Sequence, residues 1–89
     1  MRLVVLTFGH EPDPAKRIRQ RQGGIIRKTR KLRDISRAEL AETLGVTVGA
    51  ISQWENGTTT PRQHMQVALA KALDVPWSMI FGLDAEAAA

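Results

Sequence analysis

Cysteine is absent from this 89-residue chain. It can build neither a disulfide framework nor a thiolate metal site, which fits a reducing cytosol. Aromatic residues are scarce, at 4%, so Leu, Ile, Val, Ala and Met must make the core. Long apolar runs are missing too. Leu3 to Phe8 falls well short of the roughly 20 residues that a membrane-spanning helix needs. It is also short for a signal-peptide core, and no small-residue cleavage site follows it closely. No internal repeat, nucleophile–base pair, metal cluster or phosphate-binding loop is visible. His10 and His64 lie far apart in sequence, one in a linker and one on a helix, and Glu39 and Glu42 read as a cap and a surface acid. The chain is not read as an enzyme, and neither cofactor nor metal is expected.

What is present is one small domain's worth of chain. Hydrophobic residues make up 43%, which is ordinary for a globular protein. A domain of this size is marginally stable alone, so tight helical packing or dimerisation would help it. The net charge of +4 conceals a division. Residues 1–33 hold ten Lys/Arg against Glu11 and Asp13, a net +8, while residues 34–89 carry −4. On charge alone, the first third is either a partner for a polyanion or a solvated basic tail.

The punctuation predicts an all-α fold, a compact five-helix domain preceded by a strand-like and basic extension. "MRLVVLTFG" is β-branched and apolar and reads as a short strand. "HEPDP" is a linker, with Asp13 as N-cap and Pro14 opening a short basic helix that breaks at Gly23-Gly24. A second basic helix starts at Ile25. Ser36 with Glu39 forms a capping box, and Ile35 with Leu40 forms its hydrophobic staple. Gly45 stops that helix. Thr47 caps the next, which runs to about Glu55. Thr60 caps another with Pro61 at its first position, and Met65, Ala68, Leu69, Ala72 and Leu73 mark its core stripe. A last helix covers Pro76 to Phe81 and ends at Gly82. The predicted divisions are an extension over 1–24, a domain over 25–82 and a flexible tail over 83–89.

Within this pattern one constellation is specific: Ala41, then Gly45-Val46, then Ile51-Ser52, then Glu55. Ala41 must be small because the following helix crosses close to it. Gly45 permits the left-handed turn that sets the crossing. Val46, Ile51 and Trp54 face the core, which leaves Val48, Gly49, Ser52, Gln53 and Asn56 outward. These residues, in the stretch from Ile25 to Gly82, resemble the helix-turn-helix of the lambda-repressor and Cro-like (XRE-like) family. The resemblance implies an ion pair between Arg30 and Glu55. Two departures stand out. Asp34 replaces a common Gly but tolerates the left-handed conformation. Arg37 stands where many members have Gln, and a charge there could hold a DNA phosphate more strongly.

The resemblance further implies a sequence-specific regulator of transcription on double-stranded operator DNA, of the phage or prophage repressor or Cro type. Its second helix would lie in the major groove, with Thr47, Val48, Gly49, Ser52 and Gln53 on base edges. Gln53 could pair bidentately with adenine, worth about 1–3 kcal/mol of discrimination. Gly49 costs about 1 kcal/mol in a helix; it serves close backbone approach or marks a tolerant site. Arg37, Asn56, Thr58 and Arg62 are the phosphate candidates. The recognition stretch carries no Lys or Arg, so phosphate neutralisation is expected from a basic arm of Lys16, Arg17, Arg19 and Arg21. Arg27, Lys28 and Lys31 would add a long-range field.

A homodimer on half-sites is expected, at least on DNA. Its surface would be either the N-terminal strand or the last helix around Trp77, Met79 and Phe81. The strand could instead pack on its own domain or remain disordered. No membrane and no small-molecule ligand are expected, because no sensing domain fits in the remaining residues. "AEAAA" at the C-terminus reads as a low-complexity tail or a degradation signal. Two other readings remain open: the antitoxin of a toxin–antitoxin pair, and a protein-interaction module with no DNA role.

Overall fold

The computed structural model describes residues 14–88, with side chains as far as Gly82. The expected N-terminal strand, Asp13 and His10 lie outside the described residues. Among those described, five helices follow one another: α1 (Pro14–Leu32), α2 (Arg37–Leu44), α3 (Val48–Asn56), α4 (Gln63–Ala72) and α5 (Trp77–Ala88). None is long and apolar enough to cross a membrane.

The chain reverses four times by one device. Asp34, Gly45, Gly57 and Asp74 all take left-handed backbone, with φ of 56°, 69°, 76° and 57°. In each case the amide of the next residue reaches five residues back. Ile35 bonds to the Arg30 carbonyl, Val46 to Ala41, Thr58 to Gln53 and Val75 to Ala70, at 2.9–3.1 Å. These are Schellman closures, which satisfy the carbonyls that a helix end leaves open. Glycine takes such a conformation without strain, and a short polar side chain such as Asp tolerates it. At the other ends, Ser36 accepts the Glu39 amide while Glu39 accepts the Ser36 amide, completing the capping box. Thr47 accepts the Ala50 amide at the head of α3.

Ile26, Leu40, Ile51, Leu69, Leu73, Ile80 and Phe81 form the fully buried centre, with all five helices contributing and Ala41, Trp54 and Ala70 completing it. Ala70 lies beside the expected stripe of α4 and is buried with Leu69 and Leu73, while Met65 and Ala72 pack at the edge.

Three boundaries differ from the sequence reading. First, no break occurs at Gly23-Gly24, and α1 runs unbroken for 19 residues across the boundary predicted after residue 24. Gly23 is there for packing rather than for a turn. A Cβ on it would lie 2.3 Å from the Trp54 carbonyl oxygen and 2.4 Å from that of Glu55. Second, α4 begins at Gln63 rather than at Pro61. Arg62 is its N-cap residue, extended and without a side-chain cap bond. Pro61 is buried instead, and its carbonyl accepts from Gln66 Nε2 at 3.0 Å. Third, α5 does not stop at Gly82. Positive φ among the described glycines is confined to Gly45 and Gly57, and the Ala-rich stretch that follows Gly82 favours helix.

Candidate nucleic-acid interface

The short helix α3 is held from one side and open on the other. Ile51, Trp54 and Glu55 recur at three and four residues, so they share one face, and all three are buried. Val48, Gly49, Gln53 and Asn56 are exposed on the opposite face, with Ser52 half-buried between the two. Thr47 is exposed at the head of the helix, and its hydroxyl accepts the Ala50 amide at 3.0 Å. A Cβ on Gly49 would meet only Thr47 Oγ1, at 3.7 Å. Nothing inside the fold therefore requires glycine at that position.

The buried face is fixed by charge as well as by packing. The Glu55 side chain is wholly inaccessible and takes two guanidinium groups. Arg30 Nε donates to Oε2 at 2.6 Å and Nη2 to Oε1 at 3.3 Å. Arg37 Nε also donates to Oε1, at 3.1 Å. Arg30 Nη1 continues to the Ile35 carbonyl at 2.8 Å. One carboxylate thus locks α1, α2, α3 and the α1–α2 turn together. A carboxylate removed from water needs this many donors to offset its desolvation. The role suggested for Arg37 is affected. Its Nε belongs to Glu55, although 39% of its side chain stays exposed at the start of α2.

The expected basic arm is helical and continuous with the rest of α1. Lys16, Arg17, Arg19 and Arg21 occupy the first turns of α1, which pack along the far end of α3. Arg19 Nε donates to the Gly57 carbonyl at 3.0 Å. A Cβ on Gly57 would lie 2.8 Å from Gln20 Cα, so the two backbones touch there as well. Arg17, Arg21, Arg27, Lys28 and Lys31 are exposed. Helix α1 as described contains eight Lys/Arg and no acid.

Asn56, Thr58 and Arg62 are exposed along the segment that leaves α3. The Thr58 amide is committed to the Gln53 carbonyl at 2.9 Å. Arg62 and His64 edge an open groove of about 280 Å³ with a floor of Val46, Trp54, Pro61 and Met65. At the last helix, Phe81 is fully buried in the core, which removes it from the suggested dimer surface because it is spent on intramolecular packing. Trp77, Met79 and Val67 stay exposed. Trp77 Nε1 donates to Gln66 Oε1 at 3.0 Å.

Sequence reasoning missed the docking of Gly23 on α3, the Arg19–Gly57 bond and the sharing of Glu55 by a second arginine. The charge and spacing of Arg37 could have suggested the last of these. The other two depend on how far α1 extends, which the Gly-Gly pair concealed.

The helix-turn-helix family model matches residues 26–80. Repressor protein C2 of Salmonella phage P22 is 44% identical over 54 residues, which are 61% of this chain and 25% of that protein. The chain therefore spans about a quarter of that relative's length. A crystal structure of the P22 c2 repressor with synthetic operator 9T, in the presence of Tl+, superimposes with a TM-score of 0.66. It is 39% identical, over 68% of this chain and 92% of that one. The clp gene regulator ClgR from C. glutamicum superimposes with a TM-score of 0.69, over 89% of this chain and 97% of that one. At 24% identity it speaks for the fold alone.

Proposed function

The chain belongs to the lambda-repressor-like helix-turn-helix family, and from that premise we propose that it is a sequence-specific regulator of transcription acting on double-stranded operator DNA. The observation that carries this reading is the two-sided character of α3. Its inner face is clamped by Glu55, Arg30 and Arg37, while Val48, Gly49 and Gln53 stand clear of the fold. A helix held this firmly and this bare on its outer face is suited to the major groove. The likeness to a phage repressor bound to its operator supports the same reading.

In this reading Thr47, Val48, Gly49, Ser52 and Gln53 meet base edges. Asn56, Thr58 and Arg62 meet phosphates, joined by the exposed part of Arg37. The first turns of α1 add Lys16, Arg17 and Arg21 as a fixed basic flank beside the exit of α3. Because phosphate contacts supply most non-specific affinity, that flank offsets the absence of Lys and Arg from α3. Two copies act on two half-sites about one helical turn apart, with the exposed Val67, Trp77 and Met79 of α4 and α5 as the candidate contact. The site of action is the cytoplasm, where the duplex is found.

Selection of bound duplexes from a random library tests the proposal. The expected result is a short motif repeated with two-fold symmetry. Enrichment of no motif, with no binding of any duplex at low salt, overturns it.

A further inference from the structure

Beside the exit of α3 lies a cleft of about 170 Å³ lined by Ala15, Ile18, Arg19, Gln22 and Thr60. Three features set it apart. No carboxylate lines it, and its polar side chains all offer donors: a guanidinium, an amide and a hydroxyl. Gln22 is only 3% exposed, and its Nε2 has no hydrogen-bond partner among the described residues. Buried donors are nearly always paired, so a donor left over at a cleft points to an acceptor from outside. Arg19 is already aimed, because Nε is tied to the Gly57 carbonyl at 3.0 Å while Nη1 and Nη2 have no hydrogen bond among the described residues.

We propose that this cleft seats one phosphate group of the DNA backbone, held by Arg19, Gln22 and Thr60. The proposal rests on the DNA-binding reading above and extends it. Its first-helix residues precede residue 26, where the family match begins, so the seat belongs to this chain's own extension of α1. The argument for phosphate comes from chemistry and place together. A tetrahedral oxyanion accepts from several donors at once, and a guanidinium suits it better than an ammonium does. The cleft adjoins Gly57, which closes the recognition helix, on the segment that already presents Asn56 and Thr58. A phosphate seated there would fix where the end of α3 stands against the duplex. It would do so through a bond network that α1 shares with Gly57.

The test uses the full chain and a duplex obtained by selection, with single phosphates made neutral as methylphosphonates along each strand. The expected result is one position per half-site where neutralisation weakens wild-type binding about tenfold. Gln22→Leu and Arg19→Gln should weaken binding to the native duplex by a similar factor and lose nothing further at that position, while Arg19→Lys recovers part of the loss. Thr60→Val, on the exposed edge of the cleft, gives the same readout with the core untouched should the Gln22 variant fold poorly. If every neutralised phosphate costs variants and wild type alike, the seat is overturned while the DNA-binding reading stands. If no duplex is bound at all, both fall. Inorganic phosphate alone separates the remaining source. A shift of the Gln22 side-chain amide resonance in free phosphate, without any position-specific loss on the duplex, assigns the cleft to a free anion and overturns the duplex assignment.

Discussion

Gly23 meets the carbonyl oxygen of Trp54 so closely that a Cβ on it would sit 2.3 Å away. The first helix and α3 thus touch backbone to backbone, 31 residues apart in sequence. The neighbouring Gly24 has nothing within 4 Å of its Cβ direction. Alanine should therefore act with opposite sign at the two positions. Gly23→Ala should destabilise by about 1–3 kcal/mol through overpacking. Gly24→Ala should stabilise by about 1 kcal/mol through helix propensity. Thermal unfolding of the two variants reads both effects, and shifts of the same sign would refute the packing argument.

Glu55 sits between two arginines of unequal exposure, and the two sides of this bridge should behave differently. Glu55→Ala leaves two guanidinium groups without their anion and should cost about 3–5 kcal/mol, a large share of a small domain's stability. The Arg37 side chain is 39% exposed, so solvent screens its half of the bridge, and Arg37→Ala should cost at most about 1 kcal/mol. Urea unfolding midpoints of the two variants check this order. An Arg37→Ala cost as large as that of Glu55→Ala would mean that the exposed half of the bridge is not screened as its exposure implies.

On the outer face of α3, stability and recognition should separate. Gly49→Ala places a methyl group 3.7 Å from Thr47 Oγ1, with room to spare, and should stabilise the fold by about 1 kcal/mol while weakening duplex binding. Gln53→Ala should leave the melting temperature unchanged and relax preference at one base position by about 1–3 kcal/mol. Binding of both variants to the selected duplex and to its single-base changes supplies the measurement. A uniform loss on all sequences for the Gln53 variant assigns that residue to phosphate.

The basic flank makes a prediction about salt. Replacing Arg17 and Arg21 by Gln removes two exposed charges without disturbing Arg19 or Gln22. The slope of log affinity against log salt should flatten by about 2 for each bound copy. Truncation of residues 1–22 is a poorer test, because it also strips the Arg19 bond from Gly57. An unchanged slope would place Arg17 and Arg21 away from the duplex.

Acid should find the capping box. The Ser36 backbone amide, and after it the Ser36 hydroxyl, hold the Glu39 carboxyl below the usual carboxylate range. A group depressed in the folded state contributes its stability in full above the pH where the unfolded carboxylate titrates. That contribution fades as pH falls through the folded value. Glu39→Gln keeps an oxygen for the Ser36 amide but does not titrate. Melting temperatures at neutral pH and at about pH 3 should fall further for the wild-type protein than for the variant. Equal falls would remove the box as a source of acid sensitivity.

Much of the frame was legible because its signals are local. Ser36, Glu39, Gly45, Thr47 and Asp34 each do their work within five residues, so spacing alone locates them. The inner and outer residues of α3 were legible for the same reason, from a 3.6-residue period. What the sequence concealed is tertiary. Gly23 reads as a breaker until the carbonyls of α3 are placed against it. Pro61 reads as a helix start until its burial and its bond from Gln66 are seen. Phe81 reads as a surface aromatic until α5 is packed against α1 and α4 and buries it. The cleft at Gln22 was out of reach, because it needs Thr60 brought beside a helix that the glycine pair seemed to end.

The four left-handed turns bear on the order of events during folding. Each reversal closes with bonds spanning five residues, so each helix can form and end without waiting for distant chain. The distant steps that remain are the docking of α1 on the end of α3, which brings Gly23 to Trp54 and Arg19 to Gly57, and the packing of α4 on α2 and of α5 on α1. Chains dominated by local contacts fold in microseconds to milliseconds. In the proposed DNA-binding role, a newly made chain is competent almost at once, and the delay in its response is set by synthesis and search rather than by folding.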